Sequence, residues 1–334
     1  MRIAVVGAGA IGGYLGARLS LAGEEVTFIA RGANLAAIRA SGMKLIAEDG
    51  TESRATGARA VEKMSEAGPH DTVLLTVKAH QVAAIAPELR HACHAETAIV
   101  TMQNGIPWWY FHRHGGEYEG HPVRSADPDG TIGRNIDPAR LIGSVVYPAA
   151  NLVSPGVVQV VEGNRFTLGE LNGSTTPRIE AIAASLVKAG LKAPVIGDIR
   201  SEIWLKLWGN LSFNPISALT HATLVDICQF PLTRELATHM MAEAEAVAKK
   251  LGVTFRVSIE RRIAGAENVG AHKTSMLQDV EQGRAIEIEA LVGSVVELGA
   301  LTATPTPYIS AVYACASLLA KTLNAQHGKL AIKS

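Results

Sequence analysis

Hydrophobic residues follow two different patterns along this chain. Up to residue 197, short apolar runs rich in β-branched residues alternate with segments of helical periodicity, whereas beyond residue 198 every long segment has helical periodicity. Alternating strands and helices are typical of a sheet covered by helices, and a run of helices alone is typical of an all-α domain. The pattern therefore predicts an α/β domain with a mixed sheet over residues 1–197 and an all-helical domain over residues 198–334.

The chain opens with a strand, a glycine-rich turn, a helix and a second strand. Residues 3–6 and 25–30 are the apolar runs of the two strands, and apolar residues at helical spacing fill the segment between them. In such a GxGxxG turn, the first glycine permits the bend, the second lets the backbone approach a pyrophosphate, and the third lets the helix pack on the strand. A glycine-rich turn that binds nothing is the alternative. The order of elements favours a Rossmann-type dinucleotide-binding domain, in which the predicted cofactor-binding residues are Gly7, Ala8, Gly9, Ala10, Ile11 and Gly12.

The residue that follows the second strand indicates which dinucleotide binds. NAD-binding domains have an acidic residue there, but this chain has Arg31 and no acidic residue until Glu48. A guanidinium group matches a 2′-phosphate in charge and in bidentate geometry, and one such contact stabilises a complex by about 1.5–3 kcal/mol. The alternative is an ordinary solvent-exposed arginine. Arg31 therefore predicts NADP(H) as the cofactor.

Two later strands end in polar residues that extend the predicted cofactor site. The apolar run at 71–77 ends at Lys78, and the run at 98–102 is followed by Gln103, Asn104 and Gly105. Ligands of open parallel sheets bind beyond the carboxyl ends of the strands, where Gly7 and Arg31 are also expected. Taken singly, Lys78 could be a surface cation and Asn104 part of a plain turn. Together they predict that Lys78 and Asn104 also contact the cofactor.

Composition excludes several classes of protein. Lys and Arg together number 31, as do Asp and Glu, so the net charge is zero and no basic run suggests nucleic acid as a partner. Glycines and Arg18 interrupt the apolar N-terminal stretch, which is therefore expected to be neither a signal peptide nor a membrane span. No metal site is expected, since the histidines of residues 108–131 have no standard ligand spacing and neither do the three cysteines, Cys93, Cys228 and Cys315. These features predict a cytoplasmic protein with reduced thiols.

Two further segments carry structural expectations. The aromatic run Trp108–Phe111 belongs either to the core or to the wall of a substrate pocket, and the residues leave both open. The β-rich runs at 143–147, 157–161 and 165–168 predict antiparallel strands that extend the main sheet, followed by a helix over about 177–189.

The first helix of the all-α region has a polar stripe on an otherwise apolar surface. Lys206, Asn210 and Asn214 are spaced at i, i+4 and i+8, and Pro215 limits how regularly the helix can continue. Such a stripe either faces water, with Glu202 and Lys206 as a surface pair, or lines a polar cavity. A carbonyl that accepts hydride needs a proton donor where the alkoxide develops, and lysine supplies both charge and proton. The residues alone therefore indicate an NADPH-dependent reductase that acts on a carbonyl.

At this point the chain resembles the ketopantoate reductase family (2-dehydropantoate 2-reductases) over nearly its whole length. Five motifs in order carry the resemblance: the glycine-rich turn, Thr76-Val77-Lys78, Gln103-Asn104-Gly105, the helix from Glu202 through Lys206 and Asn210 to Asn214-Pro215, and Thr274–Asp279 followed by Glu287-Ile288-Glu289. The expected activity is reduction of 2-dehydropantoate to pantoate with NADPH, a step of pantothenate biosynthesis.

The resemblance also implies roles for single residues. Lys206 would be the general acid, and Glu287 would orient Lys206 or bind substrate and ribose hydroxyl groups. Arg31 and Lys78 would contact the 2′-phosphate, and Asn104 would lie near the nicotinamide. Substrate carboxylate and hydroxyl groups would be bound by Asn210, Asn214 and Ser275. From the residues alone, Ser275 is equally a helix-start residue and Glu287 an ordinary first-turn acid.

Two departures from the family pattern leave other functions open. Leu224 stands where some members have a substrate-binding asparagine, and the insert over residues 108–131, with its aromatic cluster, is unlike the compact form of the family. The same chemistry on another, bulkier 2-oxo acid is therefore a second hypothesis. A non-catalytic NADP(H)-binding sensor is the third. A small 2-oxo acid is the expected partner, and the sequence leaves a homodimer open.

Overall fold

The computed structural model describes residues 1–328, which form two compact units. The first comprises residues 1–103, 111–122 and 129–199, and the second comprises residues 104–110, 123–128 and those from 200 onward. Two short segments of the N-terminal half, residues 104–110 and 123–128, thus belong to the second unit. A single boundary between residues 197 and 198 does not include them in that unit. Their backbone hydrogen bonds explain this: Ile106 N–H donates to the carbonyl of Ala290, and the Arg124 and Ser125 N–H groups donate to the Glu297 carboxylate.

The strands all belong to the first unit. They are β1 (Arg2–Val6), β2 (Glu25–Ile29), β3 (Met43–Ile46), β4 (Glu52–Ala55), β5 (Arg59–Val61), β6 (His70–Leu75), β7 (Cys93–Thr101), β8 (Leu141–Val146), β9 (Ala149–Ser154), β10 (Val157–Glu162) and β11 (Phe166–Glu170). The helices of this unit are α1 (Ala10–Leu21), α2 (Gly32–Ser41), α3 (Met64–Ala67), α4 (Val82–Ile85), α5 (Thr131–Asn135) and α6 (Pro177–Lys188).

Within the described residues, the main sheet has seven strands in the order β11-β8-β7-β6-β1-β2-β5. Every neighbouring pair is parallel except β8 and β11, which are antiparallel. Ile3–Val6 of β1 are buried, as expected for a strand covered on both faces. The strand order changes direction at β1, between β2 and β6, and ligands of doubly wound sheets bind at such a point.

A second sheet, in the order β4-β3-β10-β9, packs on α1. The contact is close at Gly13, where a Cβ atom would lie 2.6 Å from Cγ2 of Val158 in β10. The predicted α/β domain with a mixed sheet is confirmed, but the expectation for three strands needs correction. β8 joins the main sheet in parallel, β11 joins it antiparallel as predicted, and β10 belongs to the second sheet, where it pairs in parallel with β3. Pairing with β3 buries Val158 and Val160 against α1, a long-range contact that local patterning does not encode.

The second unit is helical, as predicted. Its helices are α7 (Ile199–Thr220), α8 (Leu224–Gln229), α9 (Pro231–Lys250), α10 (Ile259–Asn268), α11 (Ser275–Glu281), α12 (Ser294–Leu301) and α13 (Pro307–Ala325), with a π-helical turn at Glu289–Gly293 before α12. α7 continues through Pro215 to Thr220. In the part of the chain that the structure describes, no helix is long and apolar enough to cross a membrane.

Candidate functional site

The first and third glycines of the β1–α1 turn are required by the protein's own backbone. Gly7 has φ = 104°, and a Cβ atom on it would lie 2.7 Å from Cγ1 of Val77. A Cβ atom on Gly12 would overlap the carbonyl oxygen of Gly7 and lie 2.5 Å from Oγ1 of Thr76. Thr76 Oγ1 also donates to the Gly7 carbonyl over 2.7 Å, which ties the end of β6 to the turn.

Gly9 differs from its two neighbours, because a Cβ atom on it would meet no protein atom within 4 Å. It precedes α1, whose first turn has no side-chain cap and no acidic residue. The first amide N–H groups of a helix are left without intrahelical partners and attract anions. An open space over uncapped amide groups is the shape and the charge that a dinucleotide pyrophosphate fits.

This turn forms one wall of a cavity of about 880 Å³ in the first unit. Arg31 lies on the cavity, exposed, as the N-cap residue of α2. Asn34 holds the turn in place, because its amide N–H donates to the Ala8 carbonyl over 2.5 Å while its oxygen accepts from Gly156 N–H over 2.7 Å. Sequence analysis missed six polar residues that line the cavity: Asn34, Glu62, Lys63, His80, Gln81 and Glu88.

Lys78, by contrast, is not among the residues that line this cavity. Its backbone N–H donates to the side-chain oxygen of Gln81, which does line it. Gln103, at the end of β7, donates to the carbonyls of Leu75 and Val77 over 2.7 and 2.9 Å. Gln103 therefore connects the ends of β6 and β7. A cofactor role for Lys78 stays a prediction.

Lys206 and Asn104 meet in the second unit. The Lys206 ammonium group donates to Oδ1 of Asn104 over 2.6 Å, although the two residues are 102 positions apart. The π-helical turn holds Asn104 in place, since the Ala290 carbonyl accepts from Ile106 N–H over 3.0 Å. Gly105 makes this approach possible, because its φ is 91° and a Cβ atom there would overlap the Ala290 carbonyl.

The electrostatic surroundings of Lys206 favour loss of its proton at a lower pH than usual. Burial lowers the pKa of Lys206 from 10.5 to about 8, with the negative charge of Glu287 opposing the shift and the positive charge of Arg262 adding to it. A lysine with a pKa near neutrality can release its proton readily, which is the property a general acid needs.

The other predicted site residues of the second unit have different environments. Asn210 is partly exposed on α7, whereas Asn214 is only 6% exposed. Ser275 is exposed as the first residue of α11, after Thr274, whose hydroxyl caps the helix by accepting from Leu277 N–H. Glu287 is half-buried immediately before the helical segment that contains the π turn.

The two alternatives for the α7 stripe and the aromatic run can now be compared with the structure. Glu202 is 1% exposed and forms an ion pair with Arg256, so it is a buried residue and not part of a surface pair. Trp109 and Tyr110 are fully buried, and the Tyr110 hydroxyl accepts from the Trp204 indole N–H over 2.8 Å. The aromatic run is therefore core.

Comparisons with known proteins assign both parts of the chain to one family. The family model described as ketopantoate reductase PanE/ApbA matches residues 3–173, and the model for the C terminal of the same family matches residues 198–320. A 2-dehydropantoate 2-reductase of Mesorhizobium japonicum is 53% identical over 96% of this chain and 98% of its own length.

Solved structures have the same fold. A protein of Ralstonia solanacearum MolK2 assigned as a ketopantoate reductase is 40% identical, with a TM-score of 0.91 over 96% of this chain and 98% of its own. The ternary structure of D-mandelate dehydrogenase with NADH and anilino(oxo)acetate is 22% identical, with a TM-score of 0.82 over 97% of this chain and 99% of its own. The latter likeness concerns the fold alone.

Proposed function

Because the chain belongs to the ketopantoate reductase family, we propose that it reduces 2-dehydropantoate to pantoate with NADPH, in the biosynthesis of pantothenate. The observation that carries the proposal is the hydrogen bond between Lys206 and Asn104, with Glu287 and Arg262 acting electrostatically on the same ammonium group. A charged, desolvated lysine held by an amide oxygen is suited to stabilising and protonating an oxyanion.

The two units would have different roles in the reaction. NADPH, when bound, supplies the hydride for the carbonyl carbon. In the first unit, the Gly7–Gly12 turn and Arg31 would hold the cofactor phosphates. In the second unit, Lys206 would donate its proton to the substrate oxygen while Asn104 keeps the ammonium group oriented.

The remaining roles follow the resemblance to the family. Glu287 would stabilise the protonated form of Lys206, because its negative charge raises the pKa of that lysine against the effect of burial. Asn210, Asn214 and Ser275 would bind the substrate's carboxylate and hydroxyl groups. Assignment of cofactor binding to residues 1–197 and of substrate binding to residues 198–334 is part of this proposal.

A panel of 2-oxo acids tests the substrate. NADPH oxidation followed by absorbance should give the highest kcat/KM with 2-dehydropantoate. A higher value with a bulkier acid would overturn that substrate in favour of the second hypothesis. Tight NADPH binding without turnover of any acid would support a sensor instead.

Turnover in the reductive direction should fall as the pH rises through about 8. A general acid must carry its proton to act, and the pKa of Lys206 is lowered by burial to about 8. Measuring kcat on either side of that pH checks the expectation. The residual activity of Lys206→Ala should lack this inflection, and an identical inflection in that variant would assign the titration to another group.

Arg31→Asp should remove the preference for NADPH over NADH. Arg31 is an exposed cation at the N-terminus of α2, where the helix dipole adds to the positive potential that attracts a phosphate. A protein of the same fold is solved with NADH, so the preference must come from single residues and not from the fold. The expected change in the ratio of the two dissociation constants is about 10- to 100-fold.

Lys192→Asp is the matched control for this variant. Lys192 is an exposed cation of the same unit that does not line the cavity, and its replacement makes the same change in charge. Fluorescence titration of each variant with NADPH and NADH gives the two constants directly. An unchanged ratio in Arg31→Asp, or an equal change in the control, would refute the role of Arg31.

A further inference from the structure

A guanidinium group lies directly against α7, one turn beyond Lys206. Gly209 has no side chain to keep it away: a Cβ atom there would overlap Nη2 of Arg262 and lie 3.1 Å from its Cζ. Gly209 is buried within the helix, and Arg262, from α10, is half-buried. The absence of a side chain at residue 209 therefore gives the guanidinium its place.

This position sets two cations close together. The positive charge of Arg262 is one of the influences on Lys206, and Glu287 is the negative charge that acts on the same ammonium group. Glu202, one turn before Lys206, already forms an ion pair with Arg256. Partly buried like charges repel each other unless an anion joins them. An anionic ligand bound beside Lys206 and Arg262 would relieve the repulsion between these two cations.

The two positions on α7, Lys206 and the glycine against which Arg262 lies, suit the substrate class of the proposed function. A 2-oxo acid has its carbonyl and its carboxylate on adjacent carbons, so the groups that bind them must also be adjacent. Lys206 and Gly209 are three residues apart on one helix, a rise of about 4.5 Å. A guanidinium group binds a carboxylate through two parallel N–H···O bonds, which an asparagine or a serine cannot do.

We propose that Arg262, seated on Gly209, binds the carboxylate of the 2-oxo acid and makes the enzyme select acids over uncharged ketones. The inference rests on the proposed function and deepens it. Arg262 would hold the carboxylate while Lys206 acts on the adjacent carbonyl oxygen. Asn210, Asn214 and Ser275 would then bind the hydroxyl groups of the substrate and add single hydrogen bonds to the carboxylate that Arg262 holds.

A substrate with a carboxylate and a related one without it provide the test. 2-Dehydropantoate has a free carboxylate, whereas in its lactone the carboxyl group and the 4-hydroxyl form a ring ester, so the ketone remains and the charge does not. With NADPH saturating, Arg262→Gln should lower kcat/KM for the acid by about 10- to 100-fold, mainly through KM, and change that for the lactone by less than about threefold. Arg261→Gln is the matched control, since Arg261 is the exposed neighbour on α10, and it should leave both values unchanged.

Gly209→Ala moves the guanidinium without removing it. The new methyl group would overlap the flexible end of Arg262, which can shift, so the protein should fold with an unchanged Tm. The same selective loss for the acid is expected, in smaller degree. Arg262→Lys keeps the charge but loses the bidentate geometry and should fall between wild type and Arg262→Gln.

The outcomes separate the inference from the function on which it rests. Equal losses for acid and lactone in Arg262→Gln would show that Arg262 acts through Lys206 or the fold and would overturn the inference, as would no loss for the acid. A wild-type protein that reduces neither compound would overturn the proposed function instead.

Discussion

Replacing Lys206 with alanine should lower kcat by about 10²–10⁴-fold, the contribution expected of a general acid. The side chain supplies the ammonium group that donates to Asn104, and its pKa is lowered to about 8 by burial, so it combines position with readiness to release a proton. The loss should appear in kcat and in kcat/KM alike, since the proton is transferred only in the transition state. Single-turnover measurements of NADPH oxidation give the rate of this step.

Lys206→Ala should not lower the Tm of the protein. Burial opposes the charge of Lys206, so its removal also removes an unfavourable desolvation. Lys249→Ala, at an exposed lysine of α9 whose ammonium group pairs with Glu245, is the matched control and should keep full activity. A loss under about threefold in Lys206→Ala, with an unchanged Tm, would remove the residue from the role of general acid.

Alanine at Gly12 should lower the stability of the protein, whereas alanine at Gly9 should weaken the binding of NADPH. At Gly12 the new methyl group would overlap backbone, which cannot move aside as a side chain can, so we expect a loss of about 1–3 kcal/mol or more in the free energy of unfolding. At Gly9 the methyl group meets no protein atom, so the cofactor-free protein should keep its Tm. The methyl group would occupy the space left for the pyrophosphate, and the dissociation constant for NADPH should rise by about tenfold or more.

Each glycine variant is the other's control. Thermal melting without cofactor measures the first effect, and titration with NADPH measures the second. An unchanged NADPH affinity in Gly9→Ala would show that the pyrophosphate does not approach the turn at that residue. An unchanged Tm in Gly12→Ala would contradict the close approach of α1 to the turn.

Features that depend on neighbours in sequence could be predicted before the structure. The glycine turn and its flanking strands form a local pattern, and so does the spacing of Lys206, Asn210 and Asn214 along one helix. The α/β region followed by helices was predictable for the same reason. These signals are local because one turn of backbone or a few turns of helix create them.

Features that depend on distant pairing could not be predicted in this way. β3, in the second sheet, pairs with β10 more than a hundred residues later, and strands paired at such distance leave no local signal. Arg262 lies in the charged sequence Glu260-Arg261-Arg262, where nothing distinguishes it from a solvated helix surface. The missing side chain of Gly209, on another helix, leaves room for the guanidinium of that arginine.

The π-helical turn that holds Asn104 has a consequence for how the protein is made. Ile106 leaves the ribosome long before Ala290, the residue whose carbonyl accepts its N–H. At about 5–20 residues per second, roughly 10 to 40 s separate the two during synthesis. Throughout that interval residues 104–110 lack their partners from the later helices, so this segment is expected to reach its final place in a late folding step. The same dependence means that residues 198–334, expressed alone, would lack Asn104 and could not be moved between proteins as a self-sufficient module.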